Sequence, residues 1–248
     1  MTSLSVNLNK IALLRNSRGR NFPNVADFAV NALKAGAAGI TLHPRPDERH
    51  ARYTDLYDLK PICESFSAEL NVEGYPSEDF LEIIHELRPH QCTLVPDDPR
   101  QITSDHGWDM PRQSEFLEPI VKRLALSGIR VSLFTDTNSA NIQLSHHVGA
   151  HRIELYTEEY AHAYHSKNKE HITQMYSEAA KFARSIGLGV NAGHDLSLDN
   201  VGHLCKECHI DEVSIGHALI VESLHYGFEN TVKRYVEILH SSNPKNKE

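Results

Sequence analysis

Short apolar runs alternate along the 248 residues with longer stretches in which apolar residues recur at helical spacing. The apolar runs predict eight strands: 4–9 (LSVNLN), 39–43 (GITLH), 69–75 (ELNVEGY), 91–96 (QCTLVP), 129–136 (IRVSLFTD), 151–157 (HRIELYT), 187–193 (GLGVNAG) and 211–217 (DEVSIGH). Most are rich in Val, Ile and Leu, the composition of strands buried on both faces of a parallel sheet. Helical patterns fill 23–36, 77–89, 113–128, 139–149, 172–187 and 229–242. The second starts at a Ser cap with acids in its first turn and stops at Pro89. Four of them run into a glycine just before the next strand, at Gly36, Gly128, Gly149 and Gly187. Glycine there accepts the left-handed backbone that a helix end needs before a tight turn.

Eight strand–helix units of about 30 residues fit a closed (β/α)8 TIM barrel, whose usual length is ~250 residues. The count favours closure over a doubly wound open sheet. No linker-like stretch divides the chain. One α/β barrel domain is therefore expected over 1–242, followed by a polar tail at 243–248. The stretch between 96 and 113 (PDDPRQITSDHGWDMPR) is too polar for core and reads as a long active-site loop.

Composition narrows the function classes. A net charge of −8 argues against a general nucleic-acid binder, while leaving room for a local basic pocket. Four cysteines are too few to imply a disulfide framework. Asn7, Asn9 and Lys10 interrupt the N-terminal apolar positions, and no run approaches the ~18 apolar residues of a membrane span. A cytoplasmic protein with no membrane or nucleic-acid partner is expected.

Barrel chemistry sits at the C-terminal ends of the strands. Those ends carry Asn7, Asn9, His43, Arg45, Glu73, Asp97, Asp136, Glu154, His194 and the Gly216–His217 pair. Three constellations follow. Gly193 and Gly216 either let the backbone approach a phosphate after strands seven and eight, or simply serve tight turns. Arg18, Arg20, Arg45, Arg49 and His50 form a basic cluster suited to phosphate oxygens, with Arg20, Arg49 and Arg52 read singly as solvated charges. His43, Glu73, Glu154 and His194 form an acid/base set, because a glutamate ending a buried strand is costly unless paired or functional. Glu48 and Arg49 read as solvent-facing neighbours. The CKECH segment (205–209) matches a haem-attachment pattern by accident, in a polar segment before strand eight. The HAYH segment (162–165) reads as a solvated helix face, and no metal site is expected.

Taken in order, VNLNKIALLRNSRG (6–19), AGAAGITLHPRPDERH (35–50), NVEG (71–74), LVPDDPRQITS (94–104), RVSLF (130–134), IELYT (153–157), VNAGHDL (190–196) and SIGHA (214–218) span nearly the whole chain. In these segments the chain resembles the pyridoxine 5′-phosphate synthase family of de novo vitamin B6 biosynthesis. The resemblance implies a (β/α)8 barrel with extra helices, assembled as an octamer and needing no metal or organic cofactor. It implies condensation of 3-amino-2-oxopropyl phosphate with 1-deoxy-D-xylulose 5-phosphate to pyridoxine 5′-phosphate, phosphate and water. His43 and Glu73 would accept protons, His194 would donate one, and Glu154 would stabilise the transition state. Asn7, Arg18, Asp195 and Gly216–His217 would hold the aminoketone phosphate. Asn9, Lys10, Arg45, His50 and Thr103 would hold the pentulose phosphate, under a lid formed by 97–111.

The chain departs from the family pattern in two places. Asn9-Lys10 stands where the family usually has Asp-His, and Asp195 where it usually has Gly. These departures bear on substrate binding and leave the acid/base set intact. The rival readings are another cofactor-free sugar-phosphate isomerase or lyase, a metal-dependent barrel enzyme, and a non-catalytic phosphometabolite-binding protein.

Overall fold

The computed structural model describes residues 1–97 and 106–242. Thr103, most of the expected lid and the 243–248 tail lie outside the described residues. Eight strands, β1 (Ser3–Asn7), β2 (Gly39–Leu42), β3 (Glu69–Gly74), β4 (Gln91–Leu94), β5 (Arg130–Thr135), β6 (Arg152–Tyr156), β7 (Gly189–Gly193) and β8 (Glu212–Ile215), pair in parallel. They follow chain order, and β8 returns to β1 to close the barrel. The helices are α1 (Asn9–Asn16), α2 (Val25–Lys34), α3 (Tyr53–Ser65), α4 (Glu78–Leu87), α5 (Met110–Leu126), α6 (Ser139–His147), α7 (Glu158–Ala163), α8 (Lys169–Ser185), α9 (Val201–Cys208), α10 (His217–Tyr226) and α11 (Phe228–Ser241). No helix of the described residues is long and apolar enough to cross a membrane.

The strands alternate in a way their short lengths conceal. One set of positions is apolar: Leu4, Val6, Ile40, Leu42, Leu70, Val72, Val131, Leu133, Ile153, Leu155, Val213 and Ile215 join the helices in a single core cluster. The other set is polar. Ser5 and Thr41 hydroxyls lie 2.6 Å apart, and Thr93 Oγ1 donates to Asn71 Oδ1 at 3.0 Å. Gln91 Nε2 donates to Glu212 Oε1 at 3.1 Å, and Asn191 Nδ2 to Gln91 Oε1 at 3.3 Å. β4 is not a neighbour of β7 or β8, so these bonds cross the barrel interior. The expected two apolar faces are therefore corrected: the helix-facing side is apolar and the axis is polar. A strand of four to six residues holds only two or three inward positions, too few to announce a second face.

Helix ends explain what the chain pattern showed and what it hid. Asn24 caps α2 through Ala26 N at 2.9 Å, and Ser77 caps α4 through Phe80 N at 3.3 Å. Both helices bury a regular apolar stripe. The five unexpected helices are less regular. α1 is short and polar on average, so Asn9 and Lys10 open a helix instead of ending a strand. α3 contains Pro61, a residue that reads as a helix breaker. α10 starts at Gly216 with no side-chain cap.

Three further readings change. The CKECH segment is the end of a helix, α9, not a polar loop, and both its cysteines are buried. Burial pushes the Cys205 and Cys208 thiols up to about 12, so neither is a ready thiolate. The HAYH segment does not continue one helix face, because α7 ends at Ala163 and His165 Nε2 reaches Asp199 Oδ2 at 2.7 Å. The polar stretch after β4 also ends earlier than expected. Trp108 is buried, with Nε1 donating to Leu94 O at 2.8 Å and its backbone N to Phe134 O at 3.0 Å, so 107–110 stitches β4 to β5.

One buried ion pair ties α1 to the segment after β2. Arg15 Nη1 reaches Asp55 Oδ1 at 2.5 Å, and Arg15 Nη2 donates to His50 O at 3.2 Å. Asn16 Nδ2 donates to Glu48 O and His50 O, and Glu48 Oε1 accepts from Tyr53 N at 2.9 Å. Glu48 is therefore a helix-capping residue and not a free surface charge. Deleting one partner of a buried pair strands the other charge, at a cost of about 3–5 kcal/mol. Asp55→Ala is expected to lower the thermal midpoint by roughly 6–20 °C, given about 2–4 °C per kcal/mol in a domain this size. A calorimetric shift of under about 2 °C would show that the pair does not hold this segment.

Candidate active site

A cavity of about 370 Å³ opens at the C-terminal ends of the strands. Its walls include His43, Glu73, Glu154 and His194, together with Asn7, Asn9, Lys10, Arg45, His50, Asp195, Gly216 and His217. Four acid/base side chains thus converge from β2, β3, β6 and the end of β7. Arg18 does not line the cavity; it is exposed beyond the end of α1.

The two glutamates enter from the inward positions of their strands. Glu73 Oε2 lies 3.8 Å from His43 Nδ1, and Ser214 Oγ donates to Glu73 Oε1 at 3.4 Å. Glu154 is buried, and its Oε2 has no hydrogen-bond partner among the described residues. A Cβ at Gly193 would lie only 2.4 Å from Glu154 Oε1. A side chain at 193 would therefore displace the Glu154 carboxyl from its present position. Gly216 packs against Asn7 in the same way, with a Cβ there meeting Asn7 atoms at 3.2 Å.

Among the described residues neither glutamate is ion-paired to an arginine or lysine, and burial dominates their proton affinity. Burial, then the nearby Asp97, pushes Glu73 up to about 7. Burial, then Glu73, raises Glu154 well above the usual carboxylate range. Two carboxylates in one dry space cannot both ionise freely, so they share protons near neutral pH. Burial, reinforced by Arg45, holds His43 well below the ordinary imidazole value. Burial also lowers His194, against the opposing pull of Asp195. His50 is held down to about 4 by burial, Arg45 and Lys10. Neutral imidazoles beside a protonatable carboxyl pair can accept and return protons at neutral pH.

Local structure fixes the two histidines. Asn7 Oδ1 accepts from Asn9 N at 3.0 Å, and Asn9 Oδ1 accepts from His43 N at 2.9 Å. Asn9 thus spends one oxygen on positioning His43. His194 and Asp195 both take left-handed backbone, with φ of 80° and 57°. Such backbone is strained for a non-glycine residue and gathers at functional sites. Thr157 holds it there: its N donates to Gly193 O at 2.9 Å, and its Oγ1 lies 2.6 Å from both Gly193 O and His194 O. Asn200 Nδ2 adds a bond to Asp195 O at 3.1 Å. The Tyr156 and Phe134 rings flank the His194 ring. Thr157, Asn200 and Ser214 escaped the sequence reading, because hydroxyl and amide residues next to strands carry no distinctive spacing.

Anions have two places to settle. The N-terminus of α10, Gly216 to Ala218, faces the cavity without a side-chain cap or a first-turn acid. Uncapped N–H groups at a helix start favour a phosphate. Arg45, His50 and Lys10, which follow β2 and β1, line the same cavity. Among the described residues no group of three or more His, Cys, Asp or Glu side chains could hold a metal ion.

Comparison with known proteins agrees with this geometry. Residues 4–241 match the family model described as pyridoxal phosphate biosynthesis protein PdxJ. A protein of Bacteroides thetaiotaomicron named pyridoxine 5′-phosphate synthase is 50% identical over 240 residues, covering 96% of this chain and all of that one. Its namesake in Cytophaga hutchinsonii is also 50% identical, covering 96% and 99% of the two chains. Solved structures share the fold at low identity. Thiamine phosphate pyrophosphorylase from Pyrococcus furiosus superposes with a TM-score of 0.62 at 14% identity, over 97% of this chain and 96% of that one. Phosphoribosylanthranilate isomerase from Thermotoga maritima gives 0.59 at 12%, over 97% and 100%. With nearly its whole length matched by the family model, this chain belongs to the PdxJ family of pyridoxal phosphate biosynthesis proteins.

Proposed function

We propose that this chain is a pyridoxine 5′-phosphate synthase, which joins 3-amino-2-oxopropyl phosphate to 1-deoxy-D-xylulose 5-phosphate and closes the pyridine ring. The observation that carries the reading is the pair of a half-buried Glu73 and a buried Glu154, neither ion-paired to an arginine or lysine among the described residues, facing two neutral histidines in one cavity. The reaction needs what that set supplies. Forming an imine takes a proton from nitrogen and delivers one to the departing oxygen. Loss of phosphate and ring closure move further protons, and each transfer is faster beside a group that titrates near the working pH.

The roles follow from the environments. Glu73, titrating near neutrality, accepts protons, and His43 at 3.8 Å passes them on. Glu154 stays protonated and offers an O–H to developing negative charge. His194 is neutral in the empty site, and an arriving phosphate raises its affinity for the proton it donates. The α10 start holds the aminoketone phosphate, with Asn7, Asp195 and His217 beside it. Arg45, His50, Asn9 and Lys10 hold the pentulose phosphate. Arg18 stands outside this cavity, and Thr103 lies outside the described residues. Family membership further supports a cytoplasmic homo-octamer, which sedimentation of purified protein tests.

Incubating the protein with both phosphorylated substrates is expected to yield pyridoxine 5′-phosphate, read by absorbance and phosphate release. Absence of product at saturating substrate would remove the assignment. Glu73→Gln is expected to lower kcat by about 10²–10⁴-fold, the usual contribution of a general base. In the wild type, kcat/KM should fall as pH drops through about 7, where Glu73 takes up its proton, and that limb should vanish in the variant. The sign for stability is opposite. A carboxyl whose folded pKa is raised favours folding while protonated and opposes it as pH rises towards about 7. Glu73→Gln should therefore raise the thermal midpoint more at pH 8 than at pH 5, and equal shifts would contradict the burial argument.

A further inference from the structure

Asp97, three residues beyond the end of β4, is buried yet does not line the cavity. Its Oδ2 accepts a hydrogen bond from Arg45 Nη2 at 2.5 Å. Arg45 itself is only 3% exposed and does line the cavity. Both charges are thus withdrawn from water, where a lone guanidinium or carboxylate would be very unfavourable. A second feature distinguishes this pair from the Arg15–Asp55 pair under α1. Arg15 commits Nη1, Nη2 and Nε to Asp55, His50 O and Asn16 Oδ1. Arg45 Nε has no hydrogen-bond partner among the described residues. Arg45 is thus held at Nη2 by Asp97, while its Nε is buried without a partner and its side chain borders the cavity.

We propose that Asp97 is a positioning residue for the reaction: it grips one end of the Arg45 guanidinium and leaves the remaining N–H donors set for an oxygen of the phosphorylated pentulose substrate. This rests on the function proposed above. A guanidinium offers five donors in a rigid fork, so fixing one nitrogen fixes the direction of the others. Without Asp97, Arg45 would leave its buried position for water, and the mouth would lose a preorganised contact.

Asp97 also acts on Glu73 through space. The groups around Glu73 are His43 from β2, Arg45 after it, Asp97 after β4, Glu154 from β6, His194 after β7, and Glu212 and Ser214 from β8. Of the charges among them, Asp97 makes the largest contribution to holding the Glu73 proton, and Arg45 opposes it weakly. One carboxylate thus serves two ends: it aims the cation that binds substrate, and it keeps the neighbouring base titrating near neutrality.

The test is Asp97→Asn, which keeps the shape and removes the charge. KM for the pentulose phosphate is expected to rise about 10-fold or more, the usual consequence of weakening a buried charge-assisted contact. KM for the aminoketone phosphate should stay within about twofold, because its proposed contacts at the start of α10 do not include Arg45. The acid limb of kcat/KM should move to lower pH, since the charge that favours the Glu73 proton is gone. A purely structural residue would depress both substrates together and leave the limb in place, and that outcome overturns the proposal. Should the single variant fail to fold, the doubly neutral Arg45→Gln/Asp97→Asn protein is compared with Arg45→Gln. Equal KM values for the pentulose phosphate support action through Arg45, whereas a further rise in the double variant refutes it. Wild-type turnover in the same assay keeps this outcome separate from failure of the functional assignment.

Discussion

A barrel whose axis is polar stands only if its inward side chains find partners across that axis. Gln91 reaches Glu212 and Asn191 across it, Ser5, Thr41, Asn71 and Thr93 pair between neighbouring strands, and Ser132 Oγ and Glu154 Oε2 are without hydrogen-bond partners among the described residues. Unsatisfied polar groups are expensive in a low-dielectric interior, so this network fixes the side-chain directions of six of the eight strands at once. It also separates the two ends of the barrel. At the closed end Glu69 is paired with Arg130, which holds its carboxyl below the usual range. Glu212 lies 3.9 Å from Arg152, and burial still raises it. At the open end Glu73 and Glu154 have no such bound arginine, and both rise. A close guanidinium lowers Glu69, whereas burial outweighs the more distant one at Glu212 and dominates at Glu73 and Glu154.

That contrast explains how much could be read from the chain. Strand order, the closed barrel and the convergence of His43, Glu73, Glu154 and His194 follow from apolar runs and from the residues that end them. The polar axis did not show, because each strand contributes too few inward positions to establish a period. α1, α3 and α10 did not show either, since a helix held by tertiary contacts can be short, carry Pro61 or lack a cap. Gly193, read as serving either an anion or a tight turn, has a further close neighbour that its position in the chain does not show: the Glu154 carboxyl. A close approach between strands six and seven exists only once the barrel has formed.

The supporting residues were hidden for a related cause. Thr157 and Asn200 act on backbone carbonyls of Gly193, His194 and Asp195, so their own neighbours in the chain say nothing of the task. What they hold is a pair of left-handed residues, and the second of these bears on the family departures. Asp tolerates left-handed backbone better than most residues, because its short side chain bonds locally. Replacement of the family's usual glycine at 195 therefore keeps the turn that aims His194.

The remaining difficulty is a carboxylate beside a phosphate site. Charge counting over the three departures resolves it. Asp195 adds one negative charge where glycine has none. Asn9 removes a negative charge relative to the usual aspartate, and Lys10 adds a positive one relative to a neutral histidine. All three residues line the same cavity, which ends more positive by one than the usual pattern. The redistribution also frees Asn9 to accept the His43 backbone N–H, a task an amide oxygen performs without bringing a charge next to Glu73. A carboxylate at that position would press Glu73 further toward its protonated form and move the base away from neutrality. The neutral residue at 9 and the acid at 195 thus put negative charge beside His194 and an uncharged amide at the His43 backbone N–H.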